Sequence, residues 1–472
     1  MGKDNRKKGS KSKKMKRTNK GNTLPPHLEH INKMAAGIDI GSKSHFVAVP
    51  PGCSDTCVRE FKSFTSDLYQ LANWLEACGV DTVAMESTGV YWIPLYELLD
   101  SRGFDVHLVD ARKVKNVSGR KTDVMDCQWL QQLHTYGLLS GAFRPNEQTC
   151  ELRSYMRQRG MLIESAAKHI QHMQKALSQM NIQLHNVLSD ITGATGMKII
   201  RAIVAGERNP KKLAVHRHKL CKNSTEVIEE SLRGYYRDEH VFALSQALEL
   251  YDVYQAKIRA CDQAIEAKLE TFEIRPIENS NDIQANNPKR KSTSHCKNKF
   301  SFNVTDHLKK ICGIDLTEVP GIEASSALKI VSEIGLDLSR WKGSKQFASW
   351  LGLCPGNKVS GGKRLGSQTK RCPNNAATTL RMAANTLHGS KSALGAYFRR
   401  LKARLGAPKA ITAAAHKLAV IIYNMLKFGA PYKEMGQDYY EKQYQHKIIN
   451  NLSRKANNMG FRLVKIDSKS IN

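Results

Sequence analysis

The sequence predicts an α/β domain at the N-terminus, long α-helices in the middle and a mainly α-helical C-terminal domain. Three observations support this order. Short apolar runs alternate with helical patterns in the first third, apolar residues then recur at spacings of three and four, and helical patterns return beyond residue 304. Because 472 residues are too many for one ordinary core, we expect two or three domains.

The N-terminal domain is predicted to contain five strands and three helices in the order β-β-β-α-β-α-β-α. Its strands are short apolar or alternating runs, and its helices carry apolar residues at helical spacing. The predicted strands are residues 34–40, 45–49, 58–64, 81–86 and 105–109. The predicted helices are residues 67–78, 91–101 and 123–138.

Four carboxylates stand at the edges of these elements: Asp39, Glu86, Asp123 and Asp126. Any one of them alone is typical of a turn. Asp123 and Asp126 lie three apart at a helix start, so both point the same way. Four converging carboxylates repel one another unless cations neutralise them, and such hard oxygen ligands suit Mg²⁺ or Mn²⁺. The acids therefore predict a metal site for phosphodiester chemistry. Their order along the elements resembles the ribonuclease-H-like fold of RuvC-type nucleases.

The net charge of +30 indicates a polyanionic partner. Nucleic acid is favoured over a membrane, because no apolar run approaches the roughly 18 residues that a bilayer crossing needs. The eleven cysteines, an odd number with no secretory signal, fit reduced thiols. We expect a cytoplasmic, nucleoid-associated protein with no membrane partner.

Changes in composition predict the domain boundaries. Dense Lys and Arg at the start indicate a disordered basic arm, and the loss of apolar periodicity near residue 285 indicates a linker. The predicted regions are the disordered basic arm 1–33, the RuvC-like domain 34–145, coiled-coil helices with a basic insertion 146–274, the flexible linker 275–303, the C-terminal domain 304–436 and a basic tail 437–472.

Two apolar series in the middle region predict a coiled coil. One runs from Ile163 to Val187 and the other from Ala247 to Phe272, both with a mean spacing near 3.5 residues. The two seams could pair with each other or across subunits. The stretch 198–222 between them, rich in Arg, Lys and His, is predicted to be a small basic insertion.

The C-terminal domain begins with a turn, Val319-Pro320-Gly321-Ile322, that resembles a helix-hairpin-helix. Such modules present helix-terminal N–H groups to phosphate, and many carry Gly where Glu323 stands here. A Gly-rich basic loop follows at residues 358–367. A serine among glycines and cations has the surroundings that a phosphate-attacking hydroxyl needs, although by composition it also fits a plain flexible loop.

Two basic loops are predicted to contact phosphates. The first, just before the paired acids, contributes Arg112, Lys113, Lys115, Arg120 and Lys121. The second surrounds the serine and contributes Lys358, Lys363 and Arg364.

These motifs together, with the run 347–353 and the stretch 396–419, resemble the DEDD transposases of insertion sequences. The resemblance implies that Asp39, Glu86, Asp123 and Asp126 bind metal and that Ser360 is the nucleophile, with Ser367 as the competing candidate. It also implies a homo-oligomer, a dimer or tetramer, in which the carboxylates of one protomer and the serine of another form a composite site. DNA and a structured guide RNA are the implied partners.

Two other functions remain open at this stage. A RuvC-like nuclease that cleaves DNA junctions with water would need the acids but not Ser360. A non-catalytic nucleic-acid-binding protein would need only the charge and the coiled coil. Neither accounts for both the acids and the serine loop.

Overall fold

A computed structural model describes residues 30–87, 89–110, 122–276 and 298–464, apart from the side chain of Arg364. The basic arm up to residue 29 and most of the predicted linker, residues 277–297, lie outside the described residues. The chain divides into two compact units, residues 1–144 and 145–472, which are described separately.

The N-terminal unit contains a five-stranded mixed sheet in the order β3-β2-β1-β4-β5. Strands β1 to β3 form an antiparallel meander, whereas β4 runs parallel to both β1 and β5. The strands are β1 (Ala35–Ile40), β2 (Ser44–Ala48), β3 (Val58–Lys62), β4 (Thr82–Glu86) and β5 (Asp105–Val109). The helices are α1 (Thr65–Ala77), α2 (Trp92–Ser101) and α3 (Asp123–Thr135). The predicted order of these elements is confirmed.

The sheet is covered on both faces, because its central strands are apolar on both sides. Ile38 and Ile40 of β1 share one core with Leu71 of α1 and Leu95 of α2. Gly37 lies on the opposite face, where α3 packs. A β-carbon on Gly37 would overlap backbone atoms of α3. The missing side chain therefore lets α3 lie directly against β1.

We predict that Gly37→Ala destabilises the N-terminal unit by about 1–3 kcal/mol, because the added methyl group pushes α3 off the sheet. The clash is with the backbone nitrogen of Gln131 and the carbonyl oxygen of Cys127, which cannot move without the helix. Urea unfolding followed by circular dichroism measures the change. Gly160→Ala is the control: that mid-helix glycine has no atom within 4 Å of the added carbon, so we expect a gain of about 0.5–1 kcal/mol. A neutral Gly37→Ala would show that α3 is not seated as described.

Two long helices, α4 (Glu147–Gln179) and α9 (Asp238–Glu270), lie along one another in the C-terminal unit. Leu162 and Ala166 of α4 and Ile258 of α9 form a shared core. The two predicted seams therefore meet within one chain.

The predicted seam to Val187 is wrong beyond residue 179, because α4 ends there. Asn181 takes a left-handed conformation, with φ of 56°, and the chain turns. Met180, Leu184 and Val187 instead belong to the core of the segment that joins α4 to α9. Apolar spacing alone did not reveal the turn, because the turn residues are themselves flanked by buried apolar side chains.

The segment between the long helices is a folded helical insertion, not only a basic loop. Its helices are α5 (Leu184–Val187), α6 (Ala194–Val204), α7 (Pro210–Ala214) and α8 (Thr225–Ser231). Ile199 and Ile203 of α6, Leu213 of α7 and Ile228 of α8 are fully buried together. The cations that suggested a basic insertion lie around this apolar core.

A buried ion pair joins α4 to α9. Arg159 donates to a carboxylate oxygen of Asp262, and both side chains are less than 5% exposed. The second carboxylate oxygen of Asp262 accepts the Ser301 backbone N–H at 3.0 Å, and Phe300 stacks 3.8 Å from the Arg159 guanidinium. Residues 298–303 are thus packed against the helices, and the predicted flexible linker 275–303 is wrong at this end.

We predict that Arg159→Met lowers the free energy of unfolding of the C-terminal unit by about 3–5 kcal/mol, because it leaves the Asp262 carboxylate buried without its cation. The double variant Arg159→Met/Asp262→Leu should recover at least half of this loss, since an apolar pair removes the buried charge. Urea unfolding measures both.

The exposed pair Arg201–Asp252 provides the matched control for this experiment. Both side chains are more than a third exposed, so Arg201→Met should cost less than about 1 kcal/mol. A double variant no more stable than Arg159→Met would contradict the proposed cause.

The rest of the C-terminal unit is mainly helical. Its elements are α10 (Val304–Cys312), a 3₁₀ turn (Leu316–Glu318), α11 (Ala324–Ile334), α12 (Ser344–Trp350), β6 (Lys358–Ser360), β7 (Lys363–Gly366), α13 (Asn375–Thr386), a second 3₁₀ turn (Leu387–Gly389), α14 (Ala393–Leu405), α15 (Ala407–Phe428) and α16 (Gln437–Asn458). Tyr423 of α15 is fully buried and donates its hydroxyl hydrogen to the Trp341 carbonyl at 2.8 Å. Residues 437–458 of the predicted basic tail form α16, which packs against α14.

The turn before α11 has the geometry of a tight connection. Gly321 has φ of 87°, and the Ile322 N–H donates to the Val319 carbonyl at 3.0 Å. A β-carbon at Gly321 would lie 2.7 Å from the Ala383 carbonyl oxygen. Glycine is therefore required here both by the backbone conformation and by the close approach of α13.

None of the helices that the structure describes is both long enough and apolar enough to cross a lipid bilayer.

Candidate active site

Asp39 and Glu86 lie on adjacent strands at the same level of the sheet. Strand β1 pairs with β4 in parallel, with Ile38 opposite Met85, and the two acids are the next residues along each strand. Paired residues of neighbouring strands share a face and lie about 4.8 Å apart. Asp39 and Glu86 therefore stand side by side on the face that α3 covers, at the end of the strands.

Asp126 approaches these acids through the packing of α3. The pKa of the neighbouring Cys127 thiol is raised to about 12, chiefly by burial and then by the carboxylates of Asp39 and Asp126. One thiol thus senses an acid from β1 and an acid from α3. The structure brings Asp39 and Asp126 into the same electrostatic environment, with Glu86 beside Asp39.

Asp123 occupies the first residue of α3 and is exposed. Thr122 caps the helix, with its side chain accepting the Met125 N–H at 3.3 Å. Asp123 and Asp126 both lie in the first turn, where the helix dipole favours negative charge. No described contact joins Asp123 to Asp39 or Glu86.

Carboxylate oxygens of this kind are the donors that Mg²⁺ and Mn²⁺ prefer. The donor chemistry of Asp39, Glu86 and Asp126 therefore fits a divalent metal. Within the described residues, no three His, Cys, Asp or Glu side chains are grouped closely enough to hold a metal ion.

A buried polar cluster holds the other end of α3. The Thr82 hydroxyl donates to the Asp105 carbonyl at 2.9 Å, so it accepts from Nε2 of His134 at 2.8 Å. Burial, and then the nearby His107, lower the pKa of His134 to about 4, so its ring is neutral at neutral pH. Thr82 is the first residue of β4 and Glu86 is the last. The cluster therefore fixes α3 against the end of the strands that lies away from the acids.

Ser360 lies at the tip of a two-stranded hairpin. It ends β6 and pairs with Lys363, the first residue of β7. Gly361 and Gly362 connect them with φ of 54° and 74°, as a two-residue turn with positive φ at both central positions requires. Ser360 is exposed, so a ligand can reach its hydroxyl.

Two cations share the face of this hairpin with Ser360. Lys358 stands two residues before it in the same strand, and Lys363 lies directly opposite, where β-carbons are about 4.5–5.5 Å apart. Ser367 follows the hairpin after β7 ends, and it is also exposed. Of the two candidate nucleophiles, Ser360 is the one on the ribbon with lysines on its own face.

Several predicted phosphate-binding residues cannot be placed. Arg112, Lys113, Lys115, Arg120 and Lys121 lie outside the described residues, and so does the side chain of Arg364. Their roles stay predictions.

The sequence analysis missed two features. One is Cys127, a buried thiol whose pKa is raised by both Asp39 and Asp126 and which the helical pattern marks only as a buried position. The other is a groove between α14 and α16 that is lined by tyrosines and cations. The signal for the groove was present as a stretch from residue 397 to residue 447 that is rich in Tyr, Lys and Arg.

Two segments of the chain match known families. Residues 36–182 match the model of the DEDD transposase domain of the IS110 group, described as a transposase. Residues 315–399 match the model described as the transposase IS116/IS110/IS902 family. No curated protein matches the chain. The first segment contains the acids and the second contains Ser360, in the order that the sequence resemblance implies.

Proposed function

Because this chain is an IS110-type DEDD transposase, a DNA-cutting and DNA-joining enzyme of an insertion sequence, we propose that it acts through metal-binding carboxylates and a serine nucleophile. The observation that carries the proposal is the pairing of Asp39 and Glu86 on adjacent strands under α3, together with an exposed Ser360 on a lysine-flanked hairpin. The family implies divalent-metal dependence, and Mg²⁺ or Mn²⁺ is the proposed ion.

In the proposed reaction, the carboxylates of Asp39, Glu86, Asp123 and Asp126 would hold the metal. A bound divalent ion would neutralise charge on the non-bridging oxygens of the scissile phosphate. The residues of this chain supply the rest. The packing of α3 against Gly37 and the Thr82–His134 contact fix the position of the helix that carries Asp126, which supports a role for Asp126 beside Asp39.

The proposed covalent step uses the Ser360 hydroxyl. Its oxygen bonds to phosphorus as the bond to the departing DNA strand breaks; the hydroxyl loses its proton, and the departing strand leaves as a hydroxyl group. The phosphoserine ester keeps the phosphodiester energy until a hydroxyl of another strand displaces the serine. Lys358 and Lys363 supply positive charge on the face where the phosphate would lie.

We also propose a homo-oligomer with a composite site, and a structured guide RNA. The family resemblance and the charge of +30 support these partners.

The paired helices α4 and α9 are proposed to act as a coiled-coil spacer, and the turn at Gly321 as a helix-hairpin-helix-like phosphate contact. The RuvC-like fold of the N-terminal domain is supported by the strand order β3-β2-β1-β4-β5.

A strand-exchange assay tests the need for RNA. Protein purified with its co-expressed flanking transcript should join donor and target DNA, and ribonuclease treatment before the DNA is added should abolish joining. Adding back the transcript should restore it. Joining that survives complete removal of RNA would contradict guidance by RNA while leaving the serine chemistry untouched.

A further inference from the structure

We propose that the groove between α14 and α16 binds a single DNA strand with its bases unpaired. The groove has a volume of about 400 Å³. Helix α16 and the C-terminal part of α14 lie beyond residue 399, where the second family match ends. The inference rests on the chain being a DNA transposase and not on the serine chemistry.

The charge of the groove favours a polyanion. Helix α14 carries four cations and no acid, and residues 442–464 carry five cations and no acid. Arg400, Arg404 and Lys447 line the groove. Among the residues that the structure describes, no carboxylate forms an ion pair with any of these three. Their positive charge is therefore available to phosphates.

The aromatic rings of the groove favour bases. Tyr397 and Tyr440 meet edge to face, with centroids 6.2 Å apart, and burial raises the pKa of both hydroxyls. The Arg400 guanidinium lies 3.8 Å from the ring centroid of Tyr444. Tyr444 remains 36% exposed, so part of its side chain is accessible to a ligand.

A stacked arginine over a tyrosine suits an unpaired base. The ring fixes the plane of the guanidinium, and a base stacks on such a platform whatever its sequence. A duplex hides the faces of its bases, so it can use only the cations of the groove. Because the enzyme acts on DNA, we assign the strand as DNA.

The test uses full-length protein and a fluorescent oligothymidylate of about 12 nucleotides, within the usual range of single-strand site sizes. Binding is measured by anisotropy at a salt concentration that weakens purely ionic contacts. Tyr444→Leu removes the stacking ring without changing the charge, and we expect affinity for the single strand to fall about tenfold. Affinity for a duplex should change less than about twofold.

Tyr69→Leu is the matched control. Tyr69 in α1 also lies under an arginine, with Arg102 5.4 Å from its ring centroid, and it is 49% exposed. This variant should bind the single strand as the wild type does. Lys447→Gln should make the slope of log affinity against log salt shallower by nearly one, because one phosphate contact is lost.

A crosslinking experiment gives an independent measure of position. A strand containing iododeoxyuridine should crosslink under ultraviolet light to peptides from α14 or α16, as identified by mass spectrometry. The proposal fails if Tyr444→Leu binds the strand like the wild type, if the duplex loses as much affinity, or if the crosslinks fall elsewhere. Binding at least tenfold tighter to RNA of the same sequence would overturn DNA as the occupant. The phosphoserine adduct is scored separately, so failure here leaves the proposed function standing.

Discussion

Ser360→Ala should abolish the covalent protein–DNA intermediate and strand exchange together. Wild-type protein incubated with donor DNA is expected to give a slower band that survives SDS and disappears with protease. Water cannot replace the serine, because hydrolysis would release the phosphodiester energy that rejoining needs. We expect strand exchange to fall roughly a thousandfold or more, as when a nucleophile is removed from other enzymes.

The position of Ser360 on the hairpin allows its chemical role to be tested without disturbing the fold. Ser360 is exposed at the tip, so its replacement by Ala should change the free energy of unfolding by less than about 0.5 kcal/mol. Ser367→Ala, just after the same hairpin, is the matched control and should keep the adduct. An adduct that persists in Ser360→Ala and vanishes in Ser367→Ala would move the nucleophile to Ser367. Lys363→Gln should slow adduct formation without abolishing it, because it removes the cation opposite Ser360.

Asp126→Asn should abolish DNA cleavage while leaving the fold and nucleic-acid binding intact. The amide has nearly the shape of the carboxylate but lacks its charge, so it binds a hard divalent cation poorly. A metal ion contributes several kcal/mol to such a transition state, and we expect cleavage to fall by about a thousandfold. Mg²⁺ or Mn²⁺ should support wild-type cleavage, and EDTA should stop it.

Asp67→Asn provides the control for this substitution. Asp67 is also in the first turn of a helix in the same unit and is also partly buried, but it belongs to α1 on the opposite face of the sheet. Its replacement should leave cleavage within about twofold, because it removes no proposed metal ligand. Full cleavage in EDTA, or equal loss in the two variants, would rule out the metal-binding assignment of Asp126.

The order of strands and helices in the N-terminal unit could be predicted from the sequence, because strand and helix periods are local. Strand β4, for example, is a short apolar run that ends on Glu86, and α3 begins at Asp123 as the pattern indicates. These features depend on residues a few positions apart, so they can be predicted from local sequence patterns. Residues 358–367 were predicted only as a Gly-rich basic loop, and the hairpin that they form is seen only in the structure.

The relative placement of the strands and helices that carry the acids was decided only by the tertiary structure. Asp39 and Glu86 lie at the same level because β1 and β4 pair in parallel with one particular register, and Asp126 lies on α3, which packs on Gly37. The pairing of α4 with α9 and the folding of residues 437–458 onto α14 were decided in the same way. Contacts between segments far apart in sequence depend on which buried surfaces fit together, and no local period records that fit.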